Sequence, residues 1–508
     1  MKHHLLCLLL CLPSGFARAA DSPPNIVIIY ADDLGYGDLS CQGATKLKTP
    51  RIDQLAAEGR RFTDAHSASA TCTPSRYAML SGKYPWREKL WSPVFLQSPL
   101  VLKEDTFTLA DLAKRAGHAT AIIGKWHLGF GESGRPDWNA DLKPGPLELG
   151  FDHYFGVPVV NSHPPFVYVE DHRVVGLDPD DPLIVAPNAV SPTKEYRGKS
   201  VRPPRRGGLG VKGGATAHAL YIDEEIGTTL AAKASDWITE HKDAPFLLCL
   251  MPTAIHHPCT PHPRFQGTSE CGIYGDFVHE LDWMVGEVLD TLDKHGLTDN
   301  TLVIFTSDNG GMLNHEGSAA WQAGHRLSGE HFGFKFDAWE GGHRVPFIVR
   351  WPGHVPAGTT SDHLISSIDL TRTLASVLKE DLPADAAPDS FDLLPEFLGT
   401  TDKPVRNHLL VMGHMKTHLA LRTRRFLYIP AQGGGGFGNG LTFIARTGET
   451  TSDITPAGKI KPDAPKAQVF NLTPEGSQTE NIILKNPKVT ADLKARLAEL
   501  RRSPRTAP

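Results

Sequence analysis

The chain has 508 residues, of which 40% are hydrophobic and 21% charged, and its formal net charge is -5. This composition is ordinary for a folded protein and the length is too great for one small module, so we expect one large core and a second, smaller domain. The mild charge, with no long basic or acidic run, gives no indication of a nucleic-acid partner or of an anionic membrane surface.

The first residues have the pattern of an export signal. Lys2 precedes an apolar run at residues 5–12, and Ala17-Arg18-Ala19 supplies a small-residue cleavage site. We therefore predict a signal peptide at residues 1–19 and a periplasmic or secreted protein. A buried N-terminal helix and a lipoprotein anchor at Cys11 are weaker alternatives. No later run is long and apolar enough to cross a bilayer, so we expect no integral membrane segment.

Seven cysteines are present, and two of them lie within the predicted signal peptide. Apart from Cys72, this leaves Cys41, Cys249, Cys259 and Cys271. Export allows disulfides, and the short separation of Cys259 and Cys271 favours these two as partners. Buried free thiols remain an equal alternative.

Short apolar runs alternate with helical patterns along the chain, which indicates an α/β fold. The predicted strands are residues 25–30, 119–123, 246–250 and 301–306, and the predicted helices are residues 108–116, 220–241 and 276–295. Glycine- and proline-rich segments at residues 144–150, 203–214 and 433–440 are expected to be long surface loops. A junction at residues 382–390 divides a catalytic domain at 22–390 from a smaller one at 391–508, with strand-like residues 419–429 and a helix at 489–501.

Polar residues follow the predicted strands at one rim of the sheet, where open α/β sheets collect functional side chains. They are Asp32 and Asp33, Lys125 and His127, His256, and Asp308 and Asn309. Two adjacent carboxylates after a buried strand favour a bound cation, and an all-oxygen ligand set suits calcium or magnesium. An Asp-Asp pair also occurs as a helix cap, so each pair alone is weak support.

One motif is far more specific. The run Cys72-Thr73-Pro74-Ser75-Arg76, followed by Leu80-Ser81-Gly82, resembles the signature of the type I sulfatases in every fixed position. In that family the cysteine is oxidised after translation to formylglycine. The resemblance implies an arylsulfatase-like, sulfuric ester hydrolase of the alkaline-phosphatase-like superfamily.

Further blocks resemble the family in the same order, from near residue 24 to residues 471–475. They are Asp32-Asp33-Leu34-Gly35, Gly124-Lys125-Trp126-His127, His256-His257-Pro258, Ser307-Asp308-Asn309-Gly310 and Glu340-Gly341-Gly342-His343. The block around Lys335 departs from the pattern. Ser328 stands where the family usually has asparagine, and His331-Phe332 stands in place of Leu-Arg, so the loop before Lys335 differs from that of the family.

The resemblance implies a large, mixed, mostly parallel sheet between helices, with a smaller C-terminal α+β domain containing an antiparallel sheet and a helix. It also implies one calcium ion held by Asp32, Asp33, Asp308, Asn309 and the modified residue 72. A hydrated aldehyde at position 72 would attack sulfur, and the ion would polarise a sulfate oxygen.

Further roles are implied in the same way. Arg76 and Lys125 would hold the hydrated aldehyde, and Lys125, His256 and Lys335 would bind the substrate. His256, with Lys335, would protonate the departing alcohol, and His127 would take the proton that lets sulfate leave by elimination. Histidine suits both roles because its ordinary pKa is near working pH.

Two other functions stay open. A phosphate or phosphonate ester hydrolase of the same superfamily shares the rim layout, and an inactive carbohydrate-binding homologue would keep the fold. Long polar loops and export favour a sulfated carbohydrate over a steroid or aryl sulfate as substrate. The implied partners are that substrate and a formylglycine-generating maturation enzyme.

Overall fold

The computed structural model describes residues 23–94, 98–180, 182–183, 220–473 and 478–508. The predicted signal peptide, the loop predicted at residues 203–214 and the end of the last family-like block lie outside these residues. In the described part of the chain, none of the helices combines the length and the apolar character that crossing a bilayer requires.

Strands and helices alternate through most of the chain. The strands are β1 (Asn25–Ala31), β2 (Arg60–Phe62), β3 (Ala65–His66), β4 (Ala119–Lys125), β5 (His153–Val157), β6 (Val169–Glu170), β7 (Arg173–Val174), β8 (Phe246–Met251), β9 (Thr301–Ser307), β10 (Phe347–Arg350), β11 (Thr359–Ser361), β12 (Ile365–Ser366), β13 (His408–Met412), β14 (Leu419–Thr423), β15 (Phe426–Ile429) and β16 (Gln468–Asn471). The helices are α1 (Pro50–Ala57), α2 (Cys72–Ser81), α3 (Leu109–Arg115), α4 (Ile226–Glu240), α5 (Ile273–Lys294), α6 (His315–Gln322), α7 (Glu340–His343), α8 (Leu370–Leu378), α9 (Leu394–Leu398), α10 (Leu441–Thr447) and α11 (Pro487–Arg502).

Ten strands form the main sheet, in the order β11-β2-β10-β9-β1-β8-β4-β5-β6-β7. Its centre is parallel, because β1 pairs with β9 and β8, and β4 pairs with β8 and β5, all in the same direction. Strand β10 runs antiparallel beside β9. The four strands predicted from apolar runs all belong to this sheet, so the α/β prediction is confirmed.

Helices cover both faces of the sheet. Ile26 and Ile28 of β1 pack with side chains of α3 and α8, whereas Val27 and Ile29 pack with side chains of α4 and α5. A strand buried on both faces needs apolar residues at every position, which explains the unbroken run in β1. The helix predicted from residue 220 begins only at Ile226, because a 3-10 turn at Asp223–Glu225 precedes it.

The C-terminal region contains an antiparallel sheet in the order β13-β14-β15-β16. The strand-like segment at residues 419–429 forms two of its strands, which a turn at Arg424-Arg425 separates. Helix α11 packs on the sheet through Leu493, Leu497 and Leu500. The predicted antiparallel sheet and final helix are confirmed, while the domain boundary at residue 390 stays a prediction.

Cys271 carries a free thiol in the structure, so it forms no disulfide with Cys259. The sequence left this pairing and buried thiols as equal alternatives.

Candidate active site

The carboxyl ends of the central strands bring the predicted metal ligands together. Ala31, the last residue of β1, lies opposite Ser307, the last of β9, so Asp32 and Asp308 leave neighbouring strands side by side. One carboxylate oxygen from each of Asp32, Asp33 and Asp308 lies within 4.8 Å of the others, and all three side chains are buried. The side-chain amide of Asn309 donates to Asp33 over 2.9 Å.

Three cations surround these carboxylates. Lys125 Nζ donates to both oxygens of Asp32, at 2.8 and 2.7 Å. Arg76 Nε donates to Asp308 over 3.0 Å, and Lys335 Nζ donates to Asp33. Burial alone would lower the pKa of Lys335, but the carboxylate of Asp33 outweighs it and raises that pKa, so the lysine stays charged.

Cys72 is the first residue of α2 and opens into a cavity of about 470 Å³ that His127, His256 and Lys335 also line. Burial raises the pKa of its thiol, and the positive charges of Lys125 and Lys335 oppose the rise. The next residue, Thr73, donates its hydroxyl to the carbonyl of His127 over 2.8 Å. The start of α2 is thereby fastened to the loop that carries His127.

Backbone contacts fix the orientation of the two predicted catalytic histidines. His127 Nε2 donates to the carbonyl of Val94 over 3.0 Å, and its buried Nδ1 has no partner among the described residues. His256 Nδ1 donates to the carbonyl of His257 over 2.7 Å, and its Nε2 lies 3.8 Å from Asp33 Oδ2. Each ring therefore keeps one nitrogen directed to the site.

Burial and nearby lysines hold the pKa of both histidines well below the ordinary value. For His127, burial is the largest cause and Lys125 the next; for His256, burial is followed by Lys335. Both rings are therefore neutral at neutral pH in the substrate-free site. A bound anion beside His256 would oppose this shift, because a negative charge favours the protonated ring.

Three residues of the site have positive φ although they are not glycine: Asp33 at 60°, His127 at 59° and Phe336 at 79°. Such conformations cost free energy and cluster where surrounding structure enforces a functional geometry. Asp33 and His127 are predicted site residues, and Phe336 directly follows the predicted site residue Lys335.

The loop that departs from the family pattern still places Lys335 in the site. Ser328 is buried and its hydroxyl donates to the carbonyl of Gly333 over 2.9 Å, which closes the loop. The backbone NH of Lys335 donates to the carbonyl of Gly311 over 2.9 Å. The serine therefore holds the loop itself, and the lysine reaches Asp33.

Asp337 is a buried residue of this region that the sequence did not single out. A Cβ added to Gly434, Gly436 or Gly440 would lie 2.4–2.6 Å from its Oδ1, so only glycine fits around this carboxylate. The backbone NH of Ala338 also donates to Gly434 over 2.7 Å. The prediction that residues 433–440 form a surface loop is wrong for residues 433–436 and 440, which are buried. Two features of the sequence could have indicated this buried carboxylate: an acid two positions after Lys335, and the repeated glycines.

Replacing Asp337 with asparagine is expected to change how stability depends on pH. Burial raises the pKa of Asp337 to about 7, whereas an unfolded aspartate titrates near pH 4. The stability that this raised pKa contributes is fully present below pH of about 4 and is lost as pH rises towards 7, on the order of 4 kcal/mol. Thermal unfolding from pH 4 to 8 should show the melting temperature of wild type falling relative to that of Asp337→Asn. Parallel curves would contradict the assignment.

A second buried cluster, also not singled out, joins the C-terminal sheet to segments next to the main sheet. Arg422 of β14 donates to Glu340 over 2.9 Å and to Asp64 over 2.6 Å, and Arg344 pairs with the same two acids. Burial would raise the pKa of both acids, but the arginines outweigh it and hold the pKa values low. His66 and His343 lie beside Glu340 at a spacing that a metal could bridge. Because arginines already neutralise the acids, we interpret the cluster as an ion-pair network.

Comparison with known proteins agrees with this geometry. A profile of the family described as Sulfatase matches residues 24–380. An N-acetylgalactosamine-6-O-sulfatase from Bacteroides thetaiotaomicron is 39% identical over 486 residues, which cover 92% of this chain and 91% of the relative. A steryl-sulfatase from Rattus norvegicus is 35% identical over 433 residues, 78% of this chain and 74% of the relative.

The fold agrees as well. A solved structure from work on the metabolism of multiple glycosaminoglycans by B. thetaiotaomicron matches with a TM-score of 0.81 at 35% identity. It covers 95% of this chain, and this chain covers all of it. The chain therefore belongs to the sulfatase family and is a sulfuric ester hydrolase with the alkaline-phosphatase-like fold.

Proposed function

We propose that the chain hydrolyses sulfate esters of carbohydrates at the site around Cys72, and that 6-O-sulfated N-acetylgalactosamine is the sulfated sugar. The observation that carries the proposal is the meeting of three carboxylates, three cations and Cys72 at one end of the cavity. The name of the Bacteroides relative supports the choice of sugar. Its coverage of both chains is higher than that of the steryl-sulfatase, which favours a sugar over a steroid.

The residues of the rim fit one calcium ion. Asp33 Oδ2 and Asn309 Oδ1 are buried and accept no hydrogen bond from the described residues, which leaves two oxygens available as ligands. Burial and the neighbouring Asp32 raise the pKa of Asp308, a cost that a bound cation would remove. Asp32, Asp33, Asp308, Asn309 and residue 72 would hold the ion, whose chemistry is to polarise a sulfate oxygen.

Charge favours an anionic substrate at this position. The charges of Asp32, Asp33 and Asp308 are balanced by those of Arg76, Lys125 and Lys335. A divalent cation added to this balanced set leaves positive charge in a buried site. A sulfate ester is an anion, and negative charge builds on its leaving oxygen as the S–O bond breaks, so a positively charged site stabilises the transition state more than the ground state.

Oxidation of Cys72 to formylglycine would supply a hydrated aldehyde as nucleophile in this family. Arg76 and Lys125 would hold position 72 and the sulfate group through charge-assisted hydrogen bonds. The maturation enzyme that performs this oxidation is the implied protein partner, and the predicted signal peptide at residues 1–19 implies export.

The two histidines divide the proton transfers. His127 is neutral, and its unpartnered Nδ1 has a lone pair that accepts the proton from the residue at position 72. His256 Nε2 lies 3.8 Å from Asp33, which Lys335 also contacts, and we place the leaving oxygen of the sugar beside these groups. Once the anionic ester raises its pKa, His256 donates a proton to that oxygen, together with the charged Lys335.

The competing phosphate or phosphonate ester hydrolase is tested by comparing matched substrates. We expect the purified, matured enzyme to release sulfate from N-acetylgalactosamine 6-sulfate with a kcat/KM well above that for the 6-phosphate. Aryl sulfate and aryl phosphate form the second matched pair. A higher kcat/KM on the phosphate of both pairs would overturn the proposal, and turnover of aryl or steroid sulfates alone would overturn its sugar.

Removing divalent cations is expected to lower sulfate release by roughly 10²-fold or more, because polarisation by the ion is worth several kcal/mol. Adding calcium should restore the rate more fully than magnesium, since the five proposed protein ligands leave little room for the waters that magnesium usually keeps. Binding also raises the melting temperature, which gives a readout without turnover. Full activity in protein shown by elemental analysis to hold no divalent ion would contradict the calcium site.

A further inference from the structure

The cavity that begins at Cys72 extends to a wall supplied by the C-terminal domain. Its volume of about 470 Å³ is typical of a small-ligand site. Phe437, Phe443 and Arg446 line this wall, and the last two belong to α10. No aspartate or glutamate is among the described residues that line the cavity. A cavity without acidic side chains favours an anionic ligand.

The two strongly basic side chains of the cavity differ in whether a carboxylate neutralises their charge. Lys335 forms an ion pair with Asp33. Arg446 is exposed, and among the described residues no carboxylate lies within 4 Å of it. Its guanidinium donates one hydrogen bond, from Nη1 to the carbonyl of Leu313 over 2.9 Å, and lies 6.0 Å from the ring centre of Phe443.

These contacts orient the guanidinium but leave most of its five N–H donors available. An oriented arginine with free donors is suited to bind a carboxylate or a sulfate through two parallel hydrogen bonds. Phe336 and Phe437 add an apolar surface to the same cavity, with ring centroids 4.4 Å apart. A sugar has both features, since its C–H faces are apolar and its substituents are polar.

We propose that Arg446 forms a subsite for a second anionic group, so that the preferred substrates are sulfated sugars that carry a further carboxylate or sulfate. The subsite rests on the proposed function, because it assumes that the first sulfate lies beside Cys72. The second anion belongs either to the same sugar, as another sulfate, or to a linked uronate, as its carboxylate. Both sources present the same chemistry to a guanidinium.

Three substrates separate these sources. They are N-acetylgalactosamine 6-sulfate, its 4,6-disulfate, and the 6-sulfate linked to an unsaturated uronate. Charge-assisted hydrogen bonds contribute about 1.5–3 kcal/mol, so Arg446→Ala should lower kcat/KM on the preferred dianionic substrate by roughly 10- to 100-fold more than on the monosulfate. Arg446→Lys should recover part of this loss. Loss on the disulfate identifies a second sulfate, and loss on the uronate identifies a carboxylate.

Arg326→Ala is the matched control, because Arg326 is an exposed arginine that lies over Trp321 and does not line this cavity. It should leave all three kcat/KM values within about twofold. If Arg446→Ala lowers kcat/KM equally on all three substrates, or on none of them, the subsite is overturned. The proposed function still stands in that case, because sulfate is released. If wild type releases sulfate from none of them, the proposed function fails first, and the subsite with it.

Discussion

Replacing Cys72 with alanine is expected to abolish sulfate release, by roughly 10⁴-fold or more, while leaving the fold intact. Removing the nucleophile of an enzyme whose groups act as a unit has effects of this size. The side chain lies at the start of α2 and lines the cavity, so the change removes only a small reactive group at the edge of the core. The melting temperature should therefore move by only a few degrees.

Cys271→Ala is the matched control for this prediction, because Cys271 is buried, carries a free thiol and does not line the cavity. It should keep nearly all activity. Substantial turnover by Cys72→Ala would contradict the assigned nucleophile. Loss of the folded state in Cys72→Ala, measured by circular dichroism, would identify a structural cysteine instead.

Replacing Arg422 with alanine is expected to lower the free energy of unfolding by about 3–5 kcal/mol. Breaking a buried ion pair from one side has this cost because it leaves an uncompensated charge in the interior. Arg422 Nε and Nη2 contact Glu340 and Asp64, and all three side chains are at least nine-tenths buried. Arg344 alone would then have to neutralise two carboxylates.

Arg424→Ala is the matched control on the same hairpin. Arg424 pairs with Asp362 at 2.9 Å, but both side chains are more than half exposed. Exposed pairs contribute at most about 1 kcal/mol, so this variant should unfold close to wild type. Denaturant unfolding of both variants measures the difference, and equal midpoints would contradict the buried network.

Much of the central fold could be predicted because its strands are buried on both faces. Residues in β1, β8 and β9 are apolar at nearly every position, and such runs stand out in a sequence. The polar residues that end them meet at one edge because the strands are parallel. Asp32, Lys125 and Asp308 are therefore brought together by sheet geometry, as the sequence led us to expect.

Contacts between distant segments could not be predicted in this way. Asp337 and residues 433–440 lie about 100 positions apart, and only their packing explains the repeated glycines. Arg422 and Asp64 lie 358 positions apart, and an arginine in a strand normally indicates a solvent-facing position. The orientation of His127 and His256 depends on hydrogen bonds to backbone carbonyl groups, and the directions of these groups cannot be predicted from a residue pattern.

The most direct test of the central claim is the mass of the peptide that contains Cys72, measured on protein whose sulfate release is known. We predict an aldehyde at position 72, with a specific activity that rises in proportion to the aldehyde fraction across preparations. Fully active protein whose peptide carries only the unmodified cysteine would contradict the account.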